Sequence, residues 1–113
     1  MSRNKYNASK KTIDGIVFDS KREGARYQEL KLMESAGVIR NLELQPKYTL
    51  QSSFKCQGKT HRAITYKADF RYTETATGAV VIEDVKGYET EVFKLKEKLF
   101  RYAFPDIDFR IVK

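Results

Sequence analysis

The 113-residue sequence contains a single cysteine, Cys56. That excludes an intramolecular disulfide and a cysteine-rich zinc site. Cys56 lies in a turn-like stretch, residues 55–59 (Lys-Cys-Gln-Gly-Lys), where a free surface thiol is a simpler reading than a nucleophile. No apolar run is long enough for a signal peptide or a membrane span. The expected compartment is therefore a reducing cytoplasm, with no membrane partner. Repeats, low-complexity tracts and interdomain linkers are also missing.

What is present fits one domain with one core. The hydrophobic fraction of 41% and aromatic fraction of 12% argue against disorder, while 33% charged residues imply a heavily solvated surface. Twenty-two Lys and Arg against 15 Asp and Glu give a net charge of +7. Such an excess attracts polyanions by displacing counterions from phosphates, without reading base sequence. Nucleic acid is the partner this charge favours, and a basic protein with no polyanionic target is the plain alternative.

The order of elements follows from periodicity and punctuation. Residues 1–12 are polar and basic and read as a flexible arm; its Arg3, Lys5, Lys10 and Lys11 suit a DNA backbone or a solvated tail. The single domain is expected over residues 13–113. Asp14-Gly15 signals a small hairpin. A helix is predicted from near Ser20 to Gly37, which would cap its C-terminus. Residues 38–44 read as a strand that Pro46 ends or bends. Strands are predicted over 48–54 and 60–72 around the Gln57-Gly58 turn, and over 79–86, where Ala-Val-Val-Ile suggests burial on both faces. Gly87 breaks that strand, Thr90 caps a second helix running to about Phe104, and residues 107–112 form a last strand. This order predicts a mixed central sheet with a helix on each face.

Two of these strands carry the chemistry. Residues 66–72 (Tyr-Lys-Ala-Asp-Phe-Arg-Tyr) and 80–86 (Val-Val-Ile-Glu-Asp-Val-Lys) flank a turn at Thr75-Ala-Thr-Gly78. With the turn at 75–78 and Glu74 facing Ala79, antiparallel pairing sets 73 against 80, 72 against 81 and Asp69 against Asp84. Side chains so opposed have Cβ atoms about 4.5–5.5 Å apart. Lys86, two residues beyond Asp84, points to the same face. Two facing carboxylates need a proton or a cation between them, so Asp69, Asp84 and Lys86 suggest a divalent-metal site with a cationic helper. Alternation puts Tyr66, Ala68, Phe70 and Tyr72 on one face. It puts Lys67, Asp69 and Arg71 on the other, with Val80, Ile82, Asp84 and Lys86. A solvated face whose acids pair with Lys67, Arg71 and Lys86 fits the same pattern.

On the first predicted helix, Glu23 shares a stripe with Tyr27 and Leu30, with Met33 at its edge. Two readings fit it. Ser20-x-x-Glu23 matches a capping box, and an acid at the inward end of a packing stripe can also join the acidic pair. Gly24 beside it would keep that approach unobstructed.

Glu23, then Asp69, then Asp84-Val85-Lys86 after fourteen intervening residues resembles the PD-(D/E)XK nuclease superfamily. The Ser20-x-x-Glu23 helix start, Leu44-Gln-Pro46 and Ala68-Asp-Phe70 resemble a subgroup that includes small phage-encoded endonucleases, junction resolvases and transposition endonuclease subunits. The likeness covers roughly residues 12–113, and Ala68 stands where the name-giving proline would be. It implies a restriction-endonuclease-like αβββαβ core and a metal-dependent DNA endonuclease. The implied host-cell role is phage recombination or replication, with branched DNA such as Holliday junctions as substrate. The implied cofactor is Mg²⁺, with Mn²⁺ as substitute. Asp69 and Asp84 would be direct ligands and the Val85 carbonyl a third, while Glu23 would hold a metal-bound water or a second ion. Lys86 would orient the attacking water or stabilise transition-state charge. No histidine is required, and His61 reads as a surface residue.

Lys94, Lys98 and Arg101 share one side of the second helix, opposite Val92, Leu95 and Leu99. They suit phosphate contacts or a solvated face, and Gln45 lies near the site or in a plain loop. One centre cuts one strand, so duplex or branched substrates call for a homodimer. The competing functions are a non-catalytic nucleic-acid-binding module of the same fold and a small structural subunit of a phage assembly.

Overall fold

The computed structural model describes residues 9–113, so the arm residues Arg3 and Lys5 lie outside the described residues. Lys11 and Thr12, read as part of that arm, belong instead to the first strand. β1 (Lys11–Ile13) and β2 (Ile16–Phe18) form a hairpin around Asp14 (φ 53) and Gly15 (φ 75). Consecutive left-handed residues of this kind define the two-residue turn that an Asp-Gly pair favours.

Helix α1 (Lys21–Ser35) begins where Ser20 Oγ accepts a hydrogen bond from the Glu23 N–H at 3.1 Å, and ends with Ala36 as its C-cap, followed by Gly37 at φ 78. Tyr27 and Leu30 form its buried stripe, with Glu23 at the same inward end. Gly24 has a different use from the one its position suggested. A Cβ there would meet Ile13 Cδ1 at 3.0 Å and Lys11 Cγ at 3.2 Å. The missing side chain makes room for the β1–β2 hairpin rather than for an approach of Glu23 to the sheet.

The central sheet has four strands in the order β10 (Asp108–Val112), β9 (Val80–Val85), β8 (Phe70–Glu74), β3 (Ile39–Leu44). β10 runs parallel to β9 and the other pairs are antiparallel, so the sheet is mixed. Helix α2 (Glu91–Ala103), capped by Thr90, connects β9 to β10. The architecture is a small single-domain α+β fold, with two helices among the described residues. The sheet divides the single core expected into two, and one lies under α1, where Phe18, Tyr27, Leu30 and Ile39 meet Phe70, Tyr72 and Val81. The other lies under α2, where Phe93 and Phe100 meet Tyr66, Ala68, Ile82 and Phe109. Full burial of an aromatic such as Phe70 or Phe100 contributes roughly 1.5–3 kcal/mol. Val92 and Leu95 of α2 stay exposed, because the helix turns its phenylalanines inward.

The stretch read as one strand over 60–72 is three: β6 (Lys59–His61), β7 (Ile64–Lys67) and β8. Likewise 48–54 divides into β4 (Lys47–Gln51) and the start of β5 (Phe54–Cys56). β4 pairs with β7, and β5 with β6, outside the four-stranded sheet. The break is a shared corner. Gln45 turns left-handed at φ 52 and its N–H donates to the Asp69 carbonyl at 2.9 Å, while the Ala68 N–H donates to the Pro46 carbonyl at 3.0 Å. Both strands of the pair bend there together, and alternation restarts. Tyr66 and Ala68 therefore pack on the α2 side, and Phe70 and Tyr72 on the α1 side. The four do not share a face as strict alternation requires.

Candidate active site

The register that sequence spacing predicts is the one observed: Phe70 pairs with Glu83, Tyr72 with Val81 and Thr73 with Val80. Extended by one residue it sets Asp69 beside Asp84, and the Asp69 N–H donates to the Glu83 carbonyl at 3.1 Å. Asp69 sits at the corner itself. Its Oδ2 accepts the Val85 N–H at 2.7 Å, which fixes the carboxyl against the end of β9.

Asp84 is 2% exposed. Its Oδ2 accepts a short hydrogen bond from the Tyr66 hydroxyl, a partner that reaches it because the corner turns Tyr66 to this side. Its Oδ1 faces Lys86 Nζ at 3.1 Å. That contact is an ion pair to a buried oxygen. Lys86 lies 4.7 Å over the Phe93 ring, so α2 supports the ammonium from below by cation–π attraction. Glu23, 6% exposed, comes from the first turn of α1 with its carboxyl within hydrogen-bonding reach of Asp69. Its backbone N–H completes half of the capping box, and its side chain serves the acidic cluster.

The structure thus brings together Glu23, Asp69, Asp84, Val85 and Lys86. Burial, then the charge of Asp84, pushes the Asp69 carboxyl up to about 7. Burial likewise raises Asp84, against the pull of Tyr66 and Lys86, and raises Glu23 with help from Asp19 and Asp84. Two buried acids and one half-buried acid beside one lysine hold protons or a cation. Among the described residues no three His, Cys, Asp or Glu side chains close into a preformed metal cage. Mg²⁺ does not require one: it keeps several waters and binds through one or two carboxylates. The paired carboxyls of Asp69 and Asp84 fit that demand.

Among the described residues, the side chains of the remaining candidates make no hydrogen bond or ion pair with this cluster. Gln45 touches Asp69 through its backbone, and its side chain is exposed. Lys94 pairs with Glu91 at 3.5 Å and Arg101 with Glu97 at 2.9 Å, both within α2, while Lys98 is exposed without an ion pair. A second buried network escaped the sequence reading. Glu83, fully buried, accepts from Arg26 Nε at 2.7 Å and Nη2 at 2.6 Å, and from the Tyr72 hydroxyl. It clamps α1 to the sheet one turn beyond Glu23. The available signal was a glutamate inside a strand buried on both faces, which demands a partner, and an arginine three residues after Glu23 supplies it.

The chain belongs to a family described as a protein of unknown function (DUF1064), whose model matches residues 3–113. No curated protein and no solved structure matches it.

The raised Asp69 carboxyl makes stability pH-dependent. Its folded value of about 7 exceeds the ordinary 3.8, so the folded chain keeps a proton that the unfolded chain releases. That contribution is full below about pH 4 and is lost as pH rises through about 7. Denaturant unfolding in chelator should show the parent less stable at about pH 8 than at about pH 5, by on the order of 1–3 kcal/mol. Asp69→Asn should remove most of the difference; an undiminished slope in that variant would place the titrating group elsewhere.

Proposed function

We propose that this chain is a metal-dependent DNA endonuclease of the PD-(D/E)XK superfamily, hydrolysing phosphodiester bonds. The observation that carries the reading is Asp69 and Asp84 side by side at the end of β9, with Lys86 on Asp84 and Glu23 reaching in from α1. Element order supports it as well. The elements of the central sheet and its two helices run α1, β3, β8, β9, α2, β10, the αβββαβ sequence of a restriction-endonuclease-like core.

Asp69 and Asp84 would hold Mg²⁺ or Mn²⁺ with the Val85 carbonyl, and the ion supplies Lewis-acid polarisation of a phosphate oxygen and a more acidic water. The Tyr66 hydroxyl orients Asp84 by donating to Oδ2, while Lys86 Nζ lies 3.1 Å from Oδ1. The Val85 N–H does the same for Asp69. Lys86, held against Phe93, would orient the attacking water or stabilise the charge that builds on phosphorus-bound oxygens. Glu23, its carboxyl raised by burial, is placed to hold or pass a proton beside Asp69. The net charge of +7 draws the polyanion in. Branched or recombination and replication DNA is the substrate class, and a homodimer supplies the second cut.

Metal binding has a readout independent of cleavage. Ions that bind the assembled acid pair stabilise the folded state. The Tm of the parent should rise on adding Mn²⁺ and that of Asp84→Asn should barely move. Equal rises in both would remove the acid pair as the site.

A further inference from the structure

Residues 44–68 contain no Asp or Glu, yet they carry Lys47, Lys55, Lys59, Arg62 and Lys67. This stretch leaves the central sheet at the Asp69 corner as the β4–β7 pair and continues into the β5–β6 ribbon. Every residue over 51–63 is exposed. Among the described residues none of these five cations makes an ion pair, whereas Arg26, Lys31, Lys86, Lys94, Arg101, Arg110 and Lys113 all do. Lys47 stands directly opposite Lys67. Like charges so placed destabilise a strand pair unless an anion lies between them.

The ribbon also displays an aromatic platform. Phe54 pairs with His61, and their rings stack at 4.9 Å with an interplanar angle of 13°. Phe54 remains 46% exposed, so the pair is not covered by the core. Strand alternation puts Lys59 on the same face as His61, one step toward the ribbon's tip.

We propose that this ribbon is a nucleic-acid-binding arm. Its cations track phosphates, and the Phe54–His61 pair stacks an unpaired base of single-stranded or branched DNA. Cationic grooves with exposed aromatic rings hold single strands in this way, because every base has a π-face. The arm springs from the corner that carries Asp69, so a strand held along it leads to the carboxylates. The ligand class rests on the nuclease reading; the geometry of the arm does not.

The test is equilibrium binding by fluorescence anisotropy in chelator, where no cutting occurs. The probes are a single-stranded oligonucleotide, the matching duplex, and the same duplex with an unpaired loop. Phe54→Ala should weaken the single-stranded and looped probes about 5- to 100-fold and leave the duplex within about twofold, and Phe54→Trp should restore binding. A triple variant, Lys55→Ala, Lys59→Ala and Arg62→Ala, should weaken all three probes. It should also flatten the slope of log affinity against log salt by about 2–3. Because the substituted side chains are exposed, the Tm should hold in every variant. Parental affinity of both variants for every probe overturns the arm, as does a parent that binds anionic phosphatidylserine vesicles but no DNA. A parent that cuts DNA while the variants bind normally removes the arm alone. A parent that binds through the arm but never cuts removes the nuclease reading and leaves the arm standing.

Discussion

Asp84→Asn should abolish metal-dependent cleavage, with a loss of at least about 10³-fold in the single-turnover rate, while DNA affinity stays within about threefold of the parent. The substitution keeps the shape of the side chain and removes the charge that a divalent ion needs. It also takes a negative charge out of the phosphate path in a chain of net charge +7, which opposes any loss of binding. Lys86→Ala should divide the effects in the same direction. Both carboxylates remain, but the ammonium 3.1 Å from Asp84 Oδ1 is gone, so the cleavage step should slow by about 10²–10³-fold. Affinity should change little, because the chain has 22 Lys and Arg in all. Parental rates in both variants, on linear and branched DNA alike, would place the chemistry elsewhere.

The largest stability effect is expected at Glu83. Glu83→Ala leaves Arg26 without the carboxylate that its Nε and Nη2 both reach, and leaves the buried Tyr72 hydroxyl without its acceptor. Breaking a buried pair by deleting one partner costs about 3–5 kcal/mol. In a chain of this size that lowers Tm by roughly 10–25 °C. Glu83→Gln keeps an acceptor for both and should cost about half as much or less. A double variant, Arg26→Met with Glu83→Leu, removes both charges and should recover much of the loss. Thermal unfolding of the three variants decides the matter. A drop of under about 1 kcal/mol in Glu83→Ala would mean that the clamp contributes no more than an ordinary surface pair.

The candidate site was legible in the sequence because it depends on local counting. A short turn ending in Gly78 fixes which residues face each other on β8 and β9, and the pairing of Thr73 with Val80 carries through to Asp69 and Asp84. Caps at Ser20 and Thr90 likewise fix where both helices begin. Pro46 marked where β3 ends, but the matching bend at Ala68-Asp69 was not legible. A run that alternates from Tyr66 to Tyr72 gives no sign that a non-glycine residue on the other strand turns left-handed and bends both. That one bend reassigns Tyr66 from the far face to a hydrogen bond with Asp84. The direction in which α2 rolls was hidden for a related reason. Val92, Leu95 and Leu99 form an apolar stripe as good as Phe93 and Phe100, and only the shape of the sheet beneath decides that the rings go inward. Neighbouring acids in a doubly buried strand, Glu83 and Asp84, serve opposite faces: one clamps α1, the other joins the acidic cluster with Asp69 and Glu23.

The central claim is that Asp69, Asp84 and Lys86 form a hydrolytic centre for DNA. Incubating the purified protein with linear, nicked, single-stranded and four-way DNA, in Mg²⁺, in Mn²⁺ and in chelator, tests it most directly. The account predicts cleavage products with either metal, strongest on branched DNA, and none in chelator. Tight binding to every substrate with no cleavage under any metal would contradict it, and would make the chain a nucleic-acid-binding module instead.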